Sequence, residues 1–110
     1  MNQEIKTKWV AALRSGEYEQ TEGALKDHCG FCCLGVLCEI SEKETGFGIE
    51  ETYAENDGRE ALGLTVRVWA GLPDSSGATV QINGESDFLT KHNDDGRTFL
   101  EIADAIEAQL

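Results

Sequence analysis

The sequence predicts an α+β fold: three to four short helices packed on a small antiparallel sheet, in a single domain spanning residues 1–110. Three observations carry this expectation. Apolar residues recur at helical spacing near both ends, at Ile5, Trp9, Ala12 and Leu13 and again at Phe99, Ile102, Ala103, Ile106 and Leu110. Between them, Asn83-Gly84 separates two short runs, a strong two-residue hairpin signal. Finally, 110 residues with 40% apolar and 27% charged content suit one modest core rather than a disordered chain.

The first helix is expected over residues 2–14, ended by Ser15-Gly16. Tyr18 to Gln20 and Ala24 to Lys26 flank Thr21-Glu22-Gly23 as a short hairpin or an irregular excursion. A second helix is expected from about Phe31 to Glu42, with Cys33, Leu34, Leu37, Cys38 and Ser41 on one face. Thr45-Gly46-Phe47-Gly48 opens an acidic loop, with a short strand at Glu51 to Ala54 and a turn at Asn56-Asp57-Gly58. Leu64 to Ala70 reads either way: its alternation suits a strand, its flanking glycines a short helix. Thr79 to Ile82 and Glu85 to Leu89 form the hairpin. Thr98-Phe99-Leu100-Glu101 is a capping box that starts the last helix.

Net charge is -12, from 21 acids and 9 bases. Residues 41–60 and residues 85–107 each carry seven acids and two bases, whereas residues 61–84 are neutral overall. So negative a field disfavours nucleic acid and suits a basic protein surface; its plainest role is solubility. No run approaches the ~20 apolar residues needed to span a bilayer. The polar start, Met1 to Lys6, begins a helical pattern rather than a signal peptide. The chain is therefore expected in a reducing cytosol, with free thiols instead of disulfides.

All four cysteines lie between His28 and Cys38. Cys29 and Cys32 have the spacing of a zinc ligand pair, and His28, Cys33, Cys38 or His92 could complete the set. A second cysteine pair is missing, which argues against a structural zinc site, and nothing else in the sequence calls for a cofactor. Asn93-Asp94-Asp95-Gly96 imitates a calcium loop, but Lys91 and Ile102 fall where its end ligands belong, so the loop fails.

A thiol nucleophile is the other chemical reading. Phe31-Cys32-Cys33-Leu34-Gly35-Val36 sets a cysteine at a helix start, where the helix dipole lowers its pKa. This string loosely resembles the nucleophile signature of NlpC/P60 peptidases. The resemblance implies a thiol-dependent hydrolase using Cys33, with His92 as base and Asn93 to orient it. His92 and Asn93 are adjacent, a poor arrangement for that purpose. The plainest reading of the segment is a packed central helix with Cys33 and Cys38 buried.

A broader pattern runs through the chain: Trp9, Ala12-Leu13-Arg14-Ser15-Gly16, Tyr18 and Gln20; then Phe31-Cys32-Cys33-Leu34-Gly35-Val36-Leu37-Cys38; then Trp69-Ala70-Gly71-Leu72; then Asn93-Asp94-Asp95-Gly96, Phe99, Ile102-Ala103-Asp104 and Ile106-Glu107. In these residues the chain resembles a family of small uncharacterised proteins of tailed bacteriophages and prophages. The resemblance implies a setting, a phage protein in the cytoplasm of its bacterial host, and no catalytic residue. The expected function is a non-enzymatic binding protein that antagonises a host process, defence first among them. Two modes are open. It could block a basic host surface, such as a nucleic-acid groove on a host protein, with the acidic faces around residues 42–60 and 85–107, including Glu50, Glu51, Glu55 and Asp57. Or it could sequester a small ligand with Tyr18, Gln20, Asn93, Asp94 and Asp95. Neither mode involves nucleic acid or membrane directly, and the oligomeric state is open.

Overall fold

A computed structural model describes residues 1–55 and 59–110. The expected turn at Asn56-Asp57-Gly58, and with it Asp57, lies outside the described residues. The class is α+β, with six helices among the described residues rather than three or four: α1 (Gln3–Arg14), α2 (Cys33–Thr45), α3 (Ile49–Glu55), α4 (Leu64–Ala70), α5 (Leu89–Asp94) and α6 (Phe99–Gln109). A two-stranded antiparallel sheet pairs β1 (Thr79–Ile82) with β2 (Glu85–Phe88). No helix among the described residues is long and apolar enough to cross a membrane.

Helix α1 forms where its stripe and caps require. The Asn2 side chain accepts from Ile5 N at 3.0 Å, and Arg14 closes the last turn. Ile5, Trp9, Val10 and Leu13 are buried; Ala12 lies at the edge of the core. The Trp9 indole donates to the Cys33 carbonyl at 2.9 Å, which ties α1 to the first turn of α2.

Helix α2 starts two residues later than expected, with Cys32 as its N-cap, and runs on to Thr45 before Gly46 ends it at φ 82°. Cys33 to Cys38 are all buried, so the first half of the helix is apolar all round and lies inside the molecule, while Glu42 to Thr45 emerge at the surface. Gly35 is required there: a Cβ would collide with the carbonyl of Leu25, whose segment crosses the helix. Residues 18–26 make no hairpin. Gln20 and Lys26 each bridge Phe31 instead, so the excursion folds back onto the start of α2.

The expected strand at Glu51 to Ala54 is a correction: those residues belong to α3. Glu50 and Glu51 sit in its first turn, where the helix dipole favours them, while Ile49 and Thr52 turn inward toward α2. Leu64 to Ala70 resolves as a helix because Val66 and Ala70, four apart, are its buried positions. Its opposite face leaves Leu64 and Val68 exposed.

The hairpin forms in the expected register, with Ile82 opposite Glu85 and Thr79 opposite Phe88. Asn83 (φ 52°) and Gly84 (φ 81°) take the left-handed conformations that a tight turn demands. Strand β2 ends at Phe88, and Leu89 opens α5, a helix the sequence pattern did not reveal. The Gln109 amide brackets Gln81 on the outer edge of β1, accepting from its N–H and donating to its carbonyl at 2.8 Å each. Helix α6 carries the capping box: Thr98 Oγ1 accepts from Glu101 N, and Glu101 Oε1 accepts from Thr98 N, each at 3.2 Å. Its inner face, Phe99, Ile102, Ala103 and Ile106, packs against α1 and β1.

Candidate functional site

The cysteine segment is core. Cys32, Cys33 and Cys38 are buried, and Cys29 alone is exposed. Burial pushes the Cys32 thiol up to about 11 and the Cys38 thiol to about 12, and holds Cys33 well above its ordinary value of 9.0. On Cys32 and Cys33 desolvation outweighs the pull of the backbone N–H groups at the start of α2, and on Cys38 it outweighs the Thr52 hydroxyl. The expected pairing of Cys33 with His92 and Asn93 is not assembled for catalysis. Cys33 Sγ lies 3.8 Å from the Leu89 carbonyl, and His92 Nε2 lies 2.9 Å from the Val80 carbonyl. Among the described residues His92 Nδ1 is buried without a hydrogen-bond partner. Asn93 does not orient the imidazole; its Oδ1 accepts from the Cys33 backbone N–H at 3.2 Å. The alternative of a thiol hydrolase therefore loses both its exposed thiolate and its base.

Gln20 and Asn93 do come together, but facing inward. Gln20 Nε2 donates to Asn93 Oδ1 at 2.9 Å and to the Arg97 carbonyl at 2.8 Å, while Gln20 Oε1 accepts from Phe99 N at 3.1 Å. Asn93 Nδ2 donates to the Thr21 carbonyl at 2.8 Å. Asn93 is fully buried, so these amides pin the 17–31 excursion to both α2 and the α5–α6 connection. Tyr18 is half-buried, edge-on to Phe31 at 5.2 Å. Asp94 accepts from Gly23 N at 2.9 Å, and Asp95 pairs with Lys91 at 2.7 Å. The polar contacts reserved for a small ligand are thus largely spent on the fold.

The four expected metal ligands separate. Cys32 and His92 are buried in the core, whereas His28 and Cys29 are exposed at the tip of the 27–30 turn. There they meet Asp27, a ligand the sequence reading did not include: the three side chains bring their donor atoms within 4.8 Å of one another.

A groove of about 820 Å³ lies between α2, α3 and the 26–27 turn. Glu39 and Glu42 line it from α2, Ile49, Glu50, Glu51 and Tyr53 from α3, and Lys26, Asp27 and Arg59 from the flanking loops. Among the described residues the carboxylates of Glu39, Glu42, Glu50 and Glu51 make no hydrogen bond or ion pair. The two groove cations rest on aromatic rings: Arg59 lies over Tyr53 and Lys26 over Phe31, each at 5.1 Å. The Tyr53 hydroxyl donates to the Lys26 carbonyl at 3.2 Å. Of the acids expected to bind, Glu50 and Glu51 are here. Glu55 is not: it holds the start of α4, accepting from Thr65 N at 2.8 Å and Thr65 Oγ1 at 2.6 Å.

Comparison with known families places the whole chain. It belongs to the family described as Domain of unknown function (DUF8296), matched over residues 1–110. No curated protein and no solved structure matches it. What the site can do follows from its own geometry. With Asp27 and four unpaired glutamates against Lys26 and Arg59, the groove is net acidic and suits cationic side chains better than an anion. The sequence reading missed Glu39, Lys26, Tyr53 and Arg59. The spacing of Glu39 and Glu42, three apart on a helix whose first six residues, Cys33 to Cys38, carry no charge, was the available signal.

Proposed function

We propose that this is a phage-encoded, non-enzymatic protein that antagonises a bacterial host process, defence first, by covering a basic surface of a host protein with the α2–α3 groove. The observation that carries the reading is the set of four groove glutamates left unpaired in a chain of net charge -12. Unpaired carboxylates repel one another, and an incoming cationic surface relieves that repulsion. The phage setting and the host cytoplasm come from the resemblance in the Cys32–Cys38 string and the C-terminal segment. Sequestration of a small ligand has less support, because Gln20 and Asn93 satisfy each other.

The test is capture of partners from the bacterial host at low salt by the tagged full chain, followed by titration of the captured protein across ionic strength. Affinity should fall steeply with salt. The E42Q/E50Q/E51Q variant should bind at least tenfold more weakly. Affinity that stays flat with salt, or is unchanged in the triple variant, would sink the groove as the binding face.

A further inference from the structure

We propose that Asp27, His28 and Cys29 form a three-ligand site for a divalent transition ion of the zinc class, at the rim of the acidic groove. The inference does not depend on the partner proposed above. Three different donors, a carboxylate oxygen, an imidazole nitrogen and a thiol sulfur, lie within 4.8 Å of one another. In a tetrahedral zinc site, bonds of about 2.0–2.3 Å set ligand atoms roughly 3.5 Å apart, so side-chain rotation alone closes the gap. Mixed nitrogen and sulfur donors exclude calcium and magnesium as the preferred ions.

The backbone explains how three consecutive residues converge. Asp27 N donates to the Gly30 carbonyl at 2.9 Å, which curls the turn. Asp27 Oδ1 accepts from Cys29 N at 2.7 Å and Gly30 N at 3.0 Å, and Oδ2 accepts from Thr21 Oγ1 at 2.8 Å. These three bonds fix the carboxylate and leave Oδ2 one free lone pair. The turn is closed from behind: Phe31 N donates to the Glu19 carbonyl at 2.8 Å, and a Cβ on Gly30 would strike that same carbonyl. His28 and Cys29, by contrast, make no side-chain hydrogen bond among the described residues, so neither has a partner to give up. Asp27 also lines the groove, whose glutamates raise the local concentration of any divalent cation. Three protein ligands leave a fourth position for water or for a donor from a bound partner.

Titration of the 110-residue chain with cobalt chloride at neutral pH tests the site. The expected result is one equivalent of cobalt with thiolate-to-cobalt charge-transfer absorption, displaced by zinc. Cys29→Ser should abolish that absorption, and His28→Ala should weaken binding at least tenfold. Both residues are exposed, so circular dichroism should match the parent. The proposal is overturned if the absorption is absent, if it survives in C29S through the other thiols, if H28A binds as the parent does, or if zinc fails to displace cobalt.

Discussion

Residues 41–60 and 85–107 carry the same seven acids and two bases, yet the fold treats them in opposite ways. In the second stretch every acid is engaged. Arg14 holds Asp104 at 2.7 Å and Glu107 at 2.9 Å; Arg97 reaches Glu101 at 3.5 Å and Glu85 at 3.6 Å; Lys91 holds Asp95. Asp94 and Asp87 accept from the backbone N–H groups of Gly23 and Phe88. In the first stretch Glu44 pairs with Lys8 and Glu55 holds α4, while the carboxylates of Glu42, Glu50, Glu51 and Glu60 have no hydrogen bond or ion pair among the described residues. A formal charge count treats both as one acidic surface. The structure separates charge that serves the fold from charge left for something else.

The sharpest way to break this comparison is at Asn93, where the second stretch enters the core. Asn93→Ala would strand the Cys33 N–H, the Thr21 carbonyl and one Gln20 donor in a buried setting. Buried groups without partners are costly, so urea denaturation should show a loss of about 3 kcal/mol. A loss under about 1 kcal/mol would mean that water replaces the amide and that the network does not hold the fold.

A smaller effect, but one with opposite signs, comes from neutralising acids in each stretch. D104N/E107Q removes the partners of Arg14 that clamp α1 to α6, and should lower the melting temperature at low salt. E42Q/E50Q/E51Q removes unpaired like charges and should raise it or leave it unchanged. Both shifts should shrink as salt rises, since all these groups face water. Shifts of the same sign in the two variants would erase the distinction between the stretches.

What the sequence made legible follows from the same division between local and distant. Helices α1 and α6 and the hairpin were readable because their determinants are neighbours in sequence: Asn2 on Ile5, Thr98 on Glu101, Asn83 beside Gly84. Helices α3 and α5, at seven and six residues, are too short for a periodic pattern to establish itself. Contacts that spend polar side chains on the fold span far more chain. Gln20 and Asn93 meet across 73 residues, and Arg14 reaches Glu107 across 93. Both members of the first pair were singled out for their polarity, yet only the fold shows that they spend it on each other.

The smallest predicted effect distinguishes the two stretches by the kind of donor each carboxylate holds. The Arg14 guanidinium holds the Glu107 carboxyl below its ordinary value of 4.5. The hydroxyl and backbone N–H of Thr65 hold the Glu55 carboxyl below the same value. A carboxyl whose folded-state pKa lies below its unfolded one releases its proton more readily in the folded chain. Its contribution to stability is complete above pH 4.5 and is lost as pH falls through the lower, folded value. Glu107→Gln and Glu55→Gln should therefore each make stability less sensitive to acid. Salt separates them. Glu107 holds a cation, so high ionic strength should weaken its contribution in the parent and shrink the difference made by E107Q. Glu55 holds neutral donors, and the difference made by E55Q should persist. Melting temperatures measured from neutral pH to below 4, at low and high salt, supply both comparisons. If the two variants respond to salt alike, the second stretch is not held by ion pairing, and the contrast between the acidic regions reduces to hydrogen bonding alone.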